Sequence, residues 1–196
     1  MNIFKNLILI IALTIVALSC KQQQARMPVS RSSGEFLKES AIRNKKLIKG
    51  EEARIDSLIK NNPKVQYIAS SKGYWYTYEV KDTTNLAKPQ KGDIAYFDYE
   101  IKDLNGTIIY SKLELKPQTY LVDKQNILMG LRDGIKLMRK KETVTFLFPS
   151  HIAFGYHGDE NRIGTNEPIM CTVTLNDFKP ETNSNQTQKN QLTTPE

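Results

Sequence analysis

Apolar residues recur at two spacings along this chain, and the switch between them lays out its elements. Between residues 35 and 61 they fall at helical intervals: Phe36 with Leu37, Leu47 with Ile48, and Ile55 with Leu58 and Ile59. Gly50 interrupts this stretch and costs about 1 kcal/mol inside a helix. Two helices are therefore expected, with Pro63 as the stop signal. From residue 73 the period becomes two. Tyr74, Tyr76 and Tyr78 alternate with Trp75 and Thr77, which predicts a strand over 73–80. Lys91-Gly92-Asp93 turns the chain into a strand over 94–102, and Asn105-Gly106 is a hairpin signal that returns it over 107–110. A further short strand is expected over 119–122. Leu131, Ile135 and Met138 then mark a short amphipathic helix over 130–138, followed by a strand over 143–148 through Val144, Phe146 and Phe148. A loop over 150–167 contains Gly155, Gly158 and Gly164, and the alternating run 169–178 closes the sheet.

Mostly antiparallel strands with one short helix make an α+β domain over 67–179, of ordinary size at about 115 residues. A helical segment over 34–66 precedes it. Its apolar stripe is thin, and the segment could pack on the domain or self-associate through residues 34–62. Residues 180–196 carry Asn, Gln, Thr and Ser with Leu192 as the one large apolar residue, and are expected to be disordered.

The start of the chain adds a compartment. Behind Lys5, residues 7–18 are apolar and broken only by Thr14, and the run ends in Ala17-Leu18-Ser19-Cys20. Small residues ahead of a cysteine mark an export signal cut just before it. The run falls short of the about 20 apolar residues that span a bilayer. Residues 1–19 are read as a lipoprotein signal peptide and Cys20 as the lipidated residue, followed over 20–33 by a flexible tether. Acylation would fix the chain to a membrane through its lipid. The expected place is the cell envelope, facing the periplasm. Lys21 is not the acidic residue tied to inner-membrane retention, which leans toward the outer membrane.

Once Cys20 carries lipid, Cys171 has no partner within the chain, and its apolar strand suits a buried thiol. With 28 basic against 21 acidic residues the formal charge is +7. Such a balance suits nucleic acid, but export removes the chain from it. No nucleic-acid partner is expected, and the charge serves solubility or anionic lipid headgroups. His151 and His157 share a loop without a third ligand, so no metal and no cofactor are expected. Nor is there a phosphate loop or a nucleophile with its base.

One ordered set of short features remains. Lys91-Gly92-Asp93, a strand ending in Tyr99, an Asn-Gly hairpin, a bend at Pro117, I-L-M-G-L-R-D-G-I over 127–135, Lys140-Lys141-Glu142 and Ala153-Phe154-Gly155 follow each other in that order. The set resembles the FKBP-type peptidyl-prolyl cis-trans isomerase domain over about residues 73–178. The leader, the helical stretch and Gly73-Tyr74-Trp75-Tyr76 are also similar to the gliding-motility-associated FKBP-like lipoproteins of Bacteroidetes. The resemblance implies an antiparallel sheet wrapped on a short helix and an apolar pocket that grips a proline ring. By matching position it implies Tyr99, Leu128 and Phe154 as the catalytic residues, with the Leu128 amide holding a substrate carbonyl. Ile109, Tyr110, Ile127, Leu131 and Ile163 would bind substrate. The implied partners are proline-containing envelope proteins.

The chain departs from the family pattern at several of these positions. Leu131 stands where the pocket floor usually has Trp, and Ile109-Tyr110 where a Phe-Asp pair is usual. Gln118 and Cys171 replace aromatic residues, and Phe154 replaces a tyrosine. The pocket is expected to be smaller and less aromatic, without the family's carboxylate. Two functions follow as expectations: an isomerase that assists envelope proteins, or a binding module of the same fold with weak or no activity in a motility or secretion complex.

Overall fold

The computed structural model describes residues 31–84 and 86–181. Cys20, the leader, most of the tether and residues 182–196 lie outside them. The chain divides into two compact units, Met1–Ala41 and Ile42–Glu196. Of the first unit, only the opening turns of the long helix α1 (Arg31–Asn61) are described, where Phe36 and Leu37 are exposed. α1 continues into the second unit. There follow β1 (Ile68–Ala69), β2 (Trp75–Val80), β3 (Asp93–Lys102), β4 (Ile108–Tyr110), the one-turn helix α2 (Lys112–Leu115), β5 (Gln118–Leu121), α3 (Met129–Leu137), β6 (Thr143–Phe148) and β7 (Ile169–Pro180). A 3-10 turn, Ser150–Ile152, follows β6.

All strands pair antiparallel in the order β1-β2-β6-β7-β3-β4, and β5 pairs with β3 beside β4. Alternation decides the faces. On β7, Ile169, Cys171, Val173 and Leu175 are buried; on β3, Ala95, Phe97 and Ile101 are. These side chains and Val144, Phe146 and Phe148 of β6 form the core that α3 covers. Burial pushes the Cys171 thiol up, so it stays an unreactive core group.

The helix lies unusually close to the sheet. Gly130 and Gly134 are one turn apart and share a face. A Cβ on Gly130 would come within 2.5 Å of the Phe148 ring, and one on Gly134 within 2.8 Å of Phe146. Those two rings stack with centroids 5.3 Å apart. Tyr74 meets both edge-on and donates its hydroxyl to Asp133 of α3 at 2.7 Å. The two glycines thus let the helix rest on an aromatic shelf with no side chain between.

The expected α+β architecture holds, with two corrections. Gly50 does not split the first helical stretch. It is exposed, and its cost is offset in the following turn, where Glu51 and Ile55 are buried at 5% and 0% exposure. The sheet also carries more than one short helix. α2 is started by a reciprocal capping box between Ser111 and Glu114 and ends at Lys116, whose φ of 55° turns the chain into Pro117.

The same substitution should have opposite effects at two glycines. Nothing lies within 4 Å of a Cβ on exposed Gly50, so Gly50→Ala should stabilise by up to about 1 kcal/mol. Gly130→Ala should destabilise by about 1–3 kcal/mol through overpacking on Phe148. Urea denaturation followed by circular dichroism checks both signs.

Candidate functional site

Four separate segments meet at one end of α3. The inward face of β3 presents Phe97 and Tyr99. β5 runs beside them in register, Phe97 opposite Gln118 and Tyr96 opposite Thr119. The approach to the helix adds Ile127 and Leu128, its first turn adds Met129 and Leu131, and the loop after β6 adds Ala153 and Phe154. Together they line a cleft of about 500 Å³. A somewhat larger hollow of about 660 Å³ beside β2 is lined by Lys64, Glu79, Lys81 and Thr145, among others. That hollow mixes these charged groups with Val65, Tyr67 and Ile68, whereas the cleft at α3 has no charged side chain in its lining.

Leu131 forms the floor and is 2% exposed. Tyr99 is half-buried, with its ring 5.7 Å from that of Phe97. Burial raises its hydroxyl above the ordinary tyrosine value, so it stays a neutral donor throughout the physiological range. Among the described residues it has no hydrogen-bond partner. Leu128 caps the start of α3: its carbonyl accepts from the Arg132 N–H at 3.0 Å. Its own N–H makes no backbone hydrogen bond among the described residues. That N–H sits at the positive end of the helix, where a carbonyl oxygen is favoured. Gln118 turns its side-chain amide away to the Leu115 carbonyl at 2.5 Å, which fixes the bend after α2. The lining holds no carboxylate, ammonium, imidazole or thiol. Its chemistry is therefore to bind an apolar ring and a polar amide, not to move protons.

Five of the eight residues expected from sequence meet in this cleft: Tyr99, Ile127, Leu128, Leu131 and Phe154. Ile109, Tyr110 and Ile163 are not part of its lining, and each has another task. Ile163 is 3% exposed and belongs to the core. Ile109 packs at the core's edge and gives its carbonyl to Arg162 at 2.8 Å. Tyr110 donates its hydroxyl to Asp159 in the loop after β6 and accepts from the Asn161 amide at 3.0 Å. The Arg162 guanidinium lies over the Tyr110 ring, 4.8 Å from its centre, and pairs with Glu114 at 2.8 Å. The carboxylate beside Tyr110 thus comes from the loop after β6 and not from β4.

Asp159 organises that loop. One oxygen accepts the N–H groups of Asn161, Arg162 and Ile163 at 3.0, 2.9 and 2.7 Å. Partial burial opposes its ionisation, but these bonds and that from Tyr110 outweigh it and hold the carboxyl below the usual range. Arg162 and then Ser111 hold Glu114 down to about 2. The cleft residues missed by position matching are Phe97, Thr119, Met129 and Ala153, while Gln118 was matched as a departure from the family's aromatic. Phe97 had a signal, since it lies two residues before Tyr99 on the same strand face. Thr119 had none, because its place depends on which strand pairs with β3.

The loop should loosen in acid. Asp159's folded-state value is depressed, so its contribution is complete above the ordinary aspartate value of about 3.9 and fades as pH falls through the lower folded value. At neutral pH, Asp159→Ala should speed hydrogen exchange of the Asn161, Arg162 and Ile163 amides about tenfold while β7 keeps its protection. Exchange read by NMR checks this.

Comparison with known proteins agrees with this fold. The family model of the FKBP-type peptidyl-prolyl cis-trans isomerase matches residues 86–176. A probable FKBP-type peptidyl-prolyl cis-trans isomerase, FkpA, of Neisseria meningitidis serogroup B is 27% identical over 99 residues. The match takes in 50% of this chain and 36% of that relative, so the chain spans about a third of the relative's length. Two crystal structures share the fold. FkpA of Escherichia coli has a TM-score of 0.56 at 20% identity, over 87% of this chain and 81% of that one. A peptidyl-prolyl cis-trans isomerase of Pseudomonas syringae pv. tomato has a TM-score of 0.55 at 18% identity, over 69% and 95%. Strands β3 to β6, most of β7, the close-packed helix and the apolar cleft at its start fall within the matched region, which is similar to the FKBP-type peptidyl-prolyl cis-trans isomerase family.

Proposed function

We propose that this chain is an exported, lipid-anchored peptidyl-prolyl cis-trans isomerase acting on proline-containing proteins of the cell envelope, those of gliding motility among them. The observation that carries the reading is the cleft itself: an apolar floor and walls beside one unengaged backbone N–H at a helix start.

An X-Pro amide resists rotation by about 18–20 kcal/mol because the nitrogen lone pair delocalises into the carbonyl. In the twisted transition state that delocalisation is lost and the amide is less polar. A dry, apolar site favours this state over the planar ones. Here the proline ring rests on Leu131 and Ile127 between Tyr99 and Phe154. The Leu128 N–H takes the carbonyl oxygen and holds one end while the other turns. No bond is made or broken, which fits a lining without an acid or base. Phe154 lacks a hydroxyl, and a neutral hydrogen bond to ligand worth about 1 kcal/mol is forgone.

Anchoring rests on the leader and Cys20. Among the described residues no helix is long and apolar enough to cross a membrane. Phe36, Leu37 and Ile42 are 64%, 66% and 62% exposed along α1. That exposure supports pairing of two chains through residues 34–62.

A protease-coupled assay on proline peptides tests the activity. The folded protein should accelerate isomerisation, and Tyr99→Ala should lower kcat/KM about tenfold or more, as loss of a transition-state wall does. His151→Ala, an exposed change outside the cleft, should leave it unaltered. No acceleration by the folded protein at high concentration, with peptide still bound, would make the chain a binding module instead. Metabolic labelling with palmitate should be lost in Cys20→Ser; label retained in that variant overturns the anchor.

A further inference from the structure

α1 supplies no residue to the cleft, yet one of its side chains reaches the loop that does. Glu51 is a carboxylate at 5% exposure, a placement acidic side chains adopt only with partners. None of the ion pairs among the described residues involves it. Its partners are both on Ser150. One Glu51 oxygen accepts the Ser150 N–H at 2.7 Å and the other accepts the Ser150 hydroxyl at 2.7 Å. Ser150 opens the 3-10 turn Ser150–Ile152, and the residue before it, Pro149, offers no side-chain cap. Glu51 therefore provides from another element the acceptor that a local capping residue would give.

The consequence passes to the cleft through the backbone. The Ser150 carbonyl accepts the N–H of Ala153 at 3.0 Å and of Gly155 at 2.8 Å. Those two amides bracket Phe154, which with Ala153 walls the cleft. Gly155 holds a φ of 66°, and its carbonyl takes the Asn166 N–H at 2.9 Å. The Phe154 turn is thus tied at Ser150, and Ser150 is tied to α1.

We infer that Glu51 is a positioning residue: its carboxylate caps the Ser150 turn and sets Phe154 against the cleft, so that α1 is a working part of the site. The kinetic side of this inference rests on the isomerase reading; the positional side does not. Glutamine has the same reach and can accept the Ser150 N–H while donating to its hydroxyl, so Glu51→Gln should substitute for the carboxylate. Alanine and leucine have no acceptor to offer.

The test uses the full chain with two readouts. Hydrogen exchange should rise about tenfold at the Ala153 and Gly155 amides in Glu51→Ala, less in Ser150→Ala, which keeps its N–H, and little in Glu51→Gln, with β6 amides protected throughout. In the coupled assay Glu51→Ala should lower kcat/KM roughly fivefold, while in a Phe154→Ala background the same change should add less than about twofold. Unchanged exchange at Ala153 and Gly155, or kinetic losses that multiply fully, overturns the inference. Should Glu51→Ala fail to fold, the graded pair Ser150→Ala and Glu51→Gln decides by the same amides. A wild-type chain without isomerase activity would sink the functional reading alone, because exchange still reports whether Glu51 holds the turn.

Discussion

The close approach of α3 to the sheet is the constraint on which the rest of the site depends. Phe146 and Phe148 lie directly beneath Gly130 and Gly134, and a single added methyl on either glycine would meet a ring inside 3 Å. Packed interiors transmit such a clash rather than absorb it. The contact fixes the height of the helix, and the helix height fixes where Ile127, Leu128 and Leu131 stand relative to Tyr99. A bulkier residue at position 130 would lift the floor of the cleft together with the amide that closes it.

Around that contact the cleft is assembled from segments distant in sequence, and the loop after β6 that carries Ala153 and Phe154 is tied by carboxylates at three places. Asp159 gathers three loop amides and meets Tyr110 on β4. Glu114 caps α2 and pairs with Arg162 of the same loop. Glu51 of α1 holds Ser150 just before Phe154. The lining carries no charged side chain, while each tie is a carboxylate hydrogen-bonded or ion-paired outside the cleft, so charge sits in the supports and not in the site. That division suits a reaction that needs a dry, fitted surface and no proton transfer.

Much of the fold was legible because alternation and helical spacing are local. The strand over 143–148 agrees with β6 at both ends, and α3 differs by one residue at each. Gly50 misled because propensity is a weak prior against the burial of Glu51 and Ile55 next to it. α2 was overlooked although Ser111 and Glu114 spell a capping box. In the site, Tyr99, Ile127, Leu128, Leu131 and Phe154 could be matched by position to the family pattern. Ile109, Tyr110 and Ile163 lie outside the cleft lining, and position alone does not tell that Asp159 turns back to bond the tyrosine. The link from Glu51 to Ser150 spans two distant elements and leaves no mark on the local sequence.

In the proposed function a fitted apolar cleft, closed by the Leu128 amide, turns prolyl bonds. Two-dimensional exchange NMR on a proline peptide with isotope-labelled protein tests it most directly, since it sees both the turnover and the residues that move with it. The account predicts cis–trans exchange cross-peaks at a small fraction of a molar equivalent of protein. It also predicts peptide-induced shifts at Tyr99, Leu128, Leu131 and Phe154. Cross-peaks absent at full equivalence, or shifts that fall instead along β2 near Lys64 and Lys81, would contradict it.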